Sequence, residues 1–143
     1  MRFMMLMIPK NYADAAPGTL PDAKAVAAMM AYNRALQEAG VLLALDGLHP
    51  PSMGARISFA HGRPSIEEGR AGWTAGTACV GGYWMIRTAS KAEALAWAAR
   101  CPAADGDLIE LRQVQEFEDF PADVQAAAGG LEGMQDRRRD PEA

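Results

Sequence analysis

The strands of this chain are apolar on both faces, and that limits what they can fold into. In the first, Phe3, Met5 and Met7 point to one side while Met4, Leu6 and Ile8 point to the other. Val41 to Leu45 is an unbroken apolar run, as in a strand buried on both sides. From Gly82 to Thr88, Tyr83 and Met85 face one way and Trp84 and Ile86 the other, so neither side is suited to water. Only two segments have strong helical patterning, and two helices cover one face of a small sheet. The second face needs a cover, and a second copy of the chain is the natural one.

The first helix is expected near Thr19-Leu20-Pro21-Asp22, with Thr19 as N-cap candidate, and runs to Ala39, with Gly40 as its stop. Val26, Met29, Tyr32 and Leu36 fall on its buried face. Ser90-Lys91-Ala92-Glu93 is a capping box that opens the second helix, which ends at Arg100-Cys101-Pro102. There Ala92, Leu95, Ala98 and Ala99 share one face. Trp97 points nearly opposite, to be covered by the acidic tail or a contact. Arg56 to Ala60 alternates weakly as a strand, and His61 to Val80 reads as a long Gly-rich loop. Asp107 to Val114 is the last strand. Residues 1–121 are expected to form one domain, and 122–143 a partly disordered tail. The order strand, helix, strand, strand, helix, strand predicts a ferredoxin-like α+β subunit, βαββαβ, with both helices on one side.

At 143 residues the chain has room for one domain with a modest core. The net charge is −4 and no basic stripe appears, which argues against nucleic-acid binding. The basic run Arg137-Arg138-Arg139 is flanked by Asp136, Asp140 and Glu142, and reads as a solvated tail. No apolar stretch approaches a membrane span. The apolar start breaks off at Pro9-Lys10 without a cleavage site, which suits a buried strand better than a signal peptide. Cys79 and Cys101 make no metal or redox spacing and are expected as free thiols in a cytoplasm. No dinucleotide fingerprint, P-loop, haem or zinc spacing is present, so no cofactor and no metal is expected.

Chemistry is carried by a few residues. Tyr32 and Asn33 lie on or beside the inner flank of the first helix, where they can line a ligand cleft. A buried Asn33 amide can equally bond a backbone carbonyl. Asp46 and His49 follow a buried strand, three residues apart. An aspartate beside an imidazole orients it and raises its pKa, as an acid–base pair requires. Structurally, the same two residues can serve a rigid turn. His61 adds no recognisable metal spacing to them. Trp73, with Arg70 nearby, is either a lid over a ligand or a tether for the loop. Arg56 and Arg87, both on strands, can recognise a carboxylate or form surface ion pairs.

Four segments resemble the YCII-related family, in particular its DGPF-type branch. They are MRFMMLMIPKNYADAA at the start, NRALQEAGVLLALDGLHPP from Asn33, GGYWMIRTASKAEALAWAARCP from Gly81 and IELRQVQEFEDF from Ile109. The resemblance covers residues 1 to about 121. It implies a dimeric α+β barrel, two ferredoxin-like sheets packed face to face. That fold is similar to muconolactone isomerases and small cofactorless monooxygenases. The chain departs from the branch where an Asp-Gly-Pro-Phe segment is expected: Glu68-Gly69 stands at the Asp-Gly position and Pro-Phe is missing. Met29 and Met30 lie where smaller members carry a catalytic-type histidine, so a His–Asp pair does not carry over. The expectation is a cytoplasmic homodimer, with enzyme activity left open; as an enzyme it would perform isomerase- or lyase-type proton transfer on a small carboxylate. Asp46 and His49 would be acid and base, and Tyr32, Asn33, Trp73 and Arg56 would bind the ligand. The alternative is a non-catalytic binding or regulatory protein associated with an extracytoplasmic-function sigma factor, a partner implied by family resemblance alone.

Overall fold

A computed structural model describes residues 1–136. Its main sheet contains β1 (Arg2–Ile8), β2 (Leu42–Gly47), β5 (Gly82–Arg87) and β6 (Leu108–Gln113). A separate ribbon pairs β3 (Ala55–Ala60) with β4 (Arg63–Glu68). The helices are α1 (Ala23–Glu38), α2 (Lys91–Ala98), α3 (Ala122–Ala127) and α4 (Leu131–Asp136). Strand order in the main sheet is β2-β5-β1-β6, with every neighbouring pair antiparallel. The helices α1 and α2 each join two strands that have a third between them. With the ribbon set aside, this is the ferredoxin-like βαββαβ arrangement.

Local chemistry fixes the helix ends. Asp22 caps α1, its carboxylate accepting from the Ala25 N–H at 2.9 Å, so the helix starts past the expected Thr19 cap. At the other end Gly40 takes φ +69°, Val41 N–H donates to Leu36 and Gly40 N–H to Gln37. That pair of bonds is a Schellman stop. Ser90 caps α2 through the Glu93 N–H, and Glu93 reaches back to the Ala89 N–H.

Phe3, Met5, Trp84 and Ile86 of the sheet meet Tyr32 and Leu36 of α1 and Ala94 of α2 in one core, with Val41 beside them. Two expectations about helix faces change. Val26 is exposed, because α1 meets the core through Met29, Tyr32 and Leu36, from its middle onward. On α2 the inward side is rotated from the expected one: Trp97 joins Ala98 against the core, while Leu95 is exposed. Ala94, fully buried, sets which side turns inward, and Trp97 follows it at helical spacing.

The segment from His61 to Val80 is not one long loop. His61 and Gly62, at φ +51° and +74°, form a two-residue turn that returns the chain as β4. The strand expected at 56–60 therefore belongs to this ribbon and not to the main sheet.

The chain divides into two compact units, Met1–Gln113 and Val114 onward. In the second, a single turn at Phe117–Asp119 is held by Glu116 N–H donating to Asp119, and Gln125 donates to the Phe120 carbonyl. Two short helices thus form in a stretch expected to fray. The run Arg137-Arg138-Arg139 lies outside the described residues. Among the described residues, no helix is long and apolar enough to cross a membrane.

Candidate functional site

Alternation along the strands sends a second set of side chains to the face opposite the helices. Tyr83 and Met85 of β5 lie there beside Leu6 and Met4 of β1, their register partners. The row continues across the sheet, from Asp46 through Tyr83 and Leu6 to Glu110. The helix-side core contains none of these side chains. On this face Tyr83 Oη donates to Asp46 Oδ2 at 2.8 Å. Backbone closeness beside the pair depends on Gly82: a Cβ there would stand 3.0 Å from the Asp46 carbonyl oxygen. Asp46 holds the phenol proton in a fixed direction, and its other carboxylate oxygen is left to take a proton from a molecule laid on the sheet.

At the end of the same face, where Ile8 and Leu108 are partners, lies a cavity of about 180 Å³. Lys10, Asn11 and Thr77 contribute to its wall. Asp107 fixes that corner by accepting from the N–H groups of Lys10 and Ala104, both at 2.9 Å.

The expected Asp46–His49 hydrogen bond is not formed. Asp46 is still in the sheet, opposite Tyr83, rather than in a turn. The next residues are pinned separately: Leu48 N–H donates to Gly81 and its carbonyl accepts from Tyr12 Oη at 2.7 Å. His49 follows this anchor and is exposed.

Tyr32 and Asn33 lie on the helix side of the sheet. Tyr32 is buried, its hydroxyl donating to the Trp97 carbonyl at 2.9 Å, and its ring meets Trp84 edge-on at 5.8 Å. Burial pushes its hydroxyl far above the usual tyrosine range, with the Cys101 thiol adding to the shift. Asn33 Oδ1 accepts from the Trp84 indole at 2.8 Å, and its amide N–H donates to Met30 Sδ at 3.9 Å in place of the expected backbone carbonyl. Both residues join α1 to β5.

Arg56 and Trp73 do come together, at the β3–β4 ribbon. The Arg56 guanidinium lies 3.9 Å from the centre of the Trp73 ring and donates to the Gly72 carbonyl. Any side chain at Gly72 would collide with Arg56, since a Cβ there would sit 2.8 Å from Arg56 Cβ. Arg70 pairs with Asp14, whose other oxygen accepts from Gly76 N–H at 3.2 Å. Trp73 is therefore part of a segment fastened at several points. Nearby, burial and the Asp14 charge push the Cys79 thiol up, and burial, then Cys79, pushes Tyr12 up. Among the described residues no cluster of three or more His, Cys, Asp or Glu is placed to hold a metal ion.

Sequence reasoning missed Tyr83 and Asp14. Tyr83 alternates with Trp84 and so can be assigned to a face, but its partner Asp46 lies 37 residues away on a strand whose register no local pattern reveals. Asp14 lies 56 residues from Arg70, and no spacing rule links them.

Residues 1–118 match the model of the YCII-related domain, and the chain belongs to that family. No curated protein matches it at a significant level.

Proposed function

We propose that this protein binds a small carboxylate on the non-helical face of its sheet, closed by a second copy, and moves a proton on it. The observation that carries this reading is the Tyr83–Asp46 hydrogen bond on that face. Asp46 serves as base, and Tyr83, whose one hydroxyl proton goes to Asp46 Oδ2, holds the carboxylate so that its other oxygen faces the substrate. Lys10, in the wall of the adjoining cavity, supplies the cation that a carboxylate needs. A surrounding of Met4, Leu6 and Met85 keeps the pair in an apolar setting, where such interactions strengthen. His49 has no part in this arrangement, and Tyr32 and Asn33 act as supports for β5. The free thiols Cys79 and Cys101 fit a reducing cytoplasm.

The test is hydrogen–deuterium exchange at carbon, followed by NMR, on a panel of small 2-oxo and unsaturated carboxylates. Wild type should exchange the proton next to the activated carbonyl or double bond. Asp46→Asn should lower the rate by at least about 100-fold and Tyr83→Phe by about 10-fold or more. His49→Gln should leave it unchanged. Carboxylate binding with no exchange would instead favour the non-catalytic reading, of a ligand-sensing regulator of the kind that would work with a sigma factor. Neither binding nor exchange would remove both.

A further inference from the structure

We infer that the β3–β4 ribbon is an arm that clasps a second copy of this chain through its apolar face. Register places Ile57 opposite Ile66 and Phe59 opposite Pro64 on one side, with Ala55 opposite Glu68 at the base of that side. Arg56 opposite Glu67, Ser58 opposite Ser65 and Ala60 opposite Arg63 make the other side polar. The polar side has a neighbour within the chain, Trp73 under Arg56. On the apolar side Ile57 is 49% exposed, Ile66 65% and Phe59 76%. No residue of either strand is buried. A two-stranded ribbon packed on its polar side alone is marginal in water, and a concentrated apolar strip of this kind marks a contact surface.

Area argues for a second copy as the occupant, and the arm rests on the two-copy assembly proposed above. Four strands at about 4.8 Å spacing, six residues long at about 3.3 Å rise, present a flat area of roughly 400 Å². A stable interface takes about 800 Å² of accessible surface from each partner, about twice that flat footprint. An apolar arm contributes roughly 200 Å² of ribbon, plus the surface it covers on the other copy. In a two-fold pair each arm contributes once and each copy receives once, which doubles the gain. The ribbon's place in the chain suits this role. It follows β2, the outer strand of the sheet, after seven residues (48–54) that span at most about 25 Å.

Sedimentation equilibrium on wild type and on Phe59→Ser/Ile66→Ser tests the inference. Both positions are exposed within one copy, so the variant should melt like wild type at dilutions where both are monomeric. Its dimer dissociation constant should rise by roughly 100-fold. In a second measurement, maleimide labelling of Phe59→Cys in a background lacking Cys79 and Cys101 should slow as the dimer forms. Two results overturn the arm and leave sheet pairing intact: an equally tight dimer in the double variant, or an introduced thiol labelled equally fast in monomer and dimer. In that case the strip would serve some other partner. A wild type that stays monomeric at tens of micromolar overturns the pairing itself and the arm with it.

Discussion

Trp84 holds two consecutive residues of α1 by different means: its ring meets Tyr32 and its indole N–H serves Asn33. Replacing it with Phe keeps much of the apolar bulk but leaves the Asn33 carbonyl oxygen without its donor. Such an orphan costs about 1–3 kcal/mol, which a denaturant midpoint would read. Tyr32→Phe removes the bond to Trp97 and should cost about 1 kcal/mol, with the core otherwise unchanged. Cys101 makes a pH prediction. Burial, and secondly the Asp107 charge, raise its thiol from 9.0 to about 11. The folded chain therefore holds this proton more tightly than the unfolded chain. Its contribution is whole below pH 9 and is lost as pH rises from 9 to 11, because the unfolded thiol ionises first. Melting temperature should fall across that window, and Cys101→Ala should flatten the first part of the fall. Tyr32, also raised from its ordinary 10.0, keeps a slope at higher pH.

Individual elements differ in how much holds them. Ser90→Ala takes away the α2 cap and should cost about 1 kcal/mol by thermal melt. Asp14→Ala should act on one segment: amides of residues 70–77 would exchange faster while those of β1 and β5 keep their protection. The elements differ as well in how plainly the sequence announces them. β1, β2 and β5 are readable because their residues are mostly apolar, and β6 because Leu108, Ile109 and Leu111 punctuate a polar stretch that follows Gly106-Asp107. The ends of α2 are readable because Ser90 and Glu93 are a local signal. β4 is not, since Pro64 within it argues against a strand and His61-Gly62 is a weaker turn signal than Asn-Gly. Which side of α2 faces inward is unreadable for another reason. The helix is short and alanine-rich, so its pattern does not say whether Leu95 or Trp97 turns toward the sheet. The candidate site was half legible. Asp46 stands out at the end of an apolar strand, but its partner depends on β5 pairing beside β2, a fact of topology and not of local spacing.

For the whole molecule, the decisive quantity is how much apolar surface one copy leaves outside its core. Leu6, at the middle of the proposed contact face, is a direct probe. Leu6→Glu should give a folded monomer by sedimentation, and its near-ultraviolet circular dichroism should match diluted wild type. A stable dimer in this variant would remove the face-to-face assembly. The β3–β4 ribbon has one more consequence. Among the described residues it pairs with no other strand, so both its long sides present backbone amide and carbonyl groups that an added strand could use. Pro64 removes one amide donor from that ladder. Putting valine there would complete a sticky border, and the chain should then polymerise into filaments that bind thioflavin at concentrations where the native sequence stays clear.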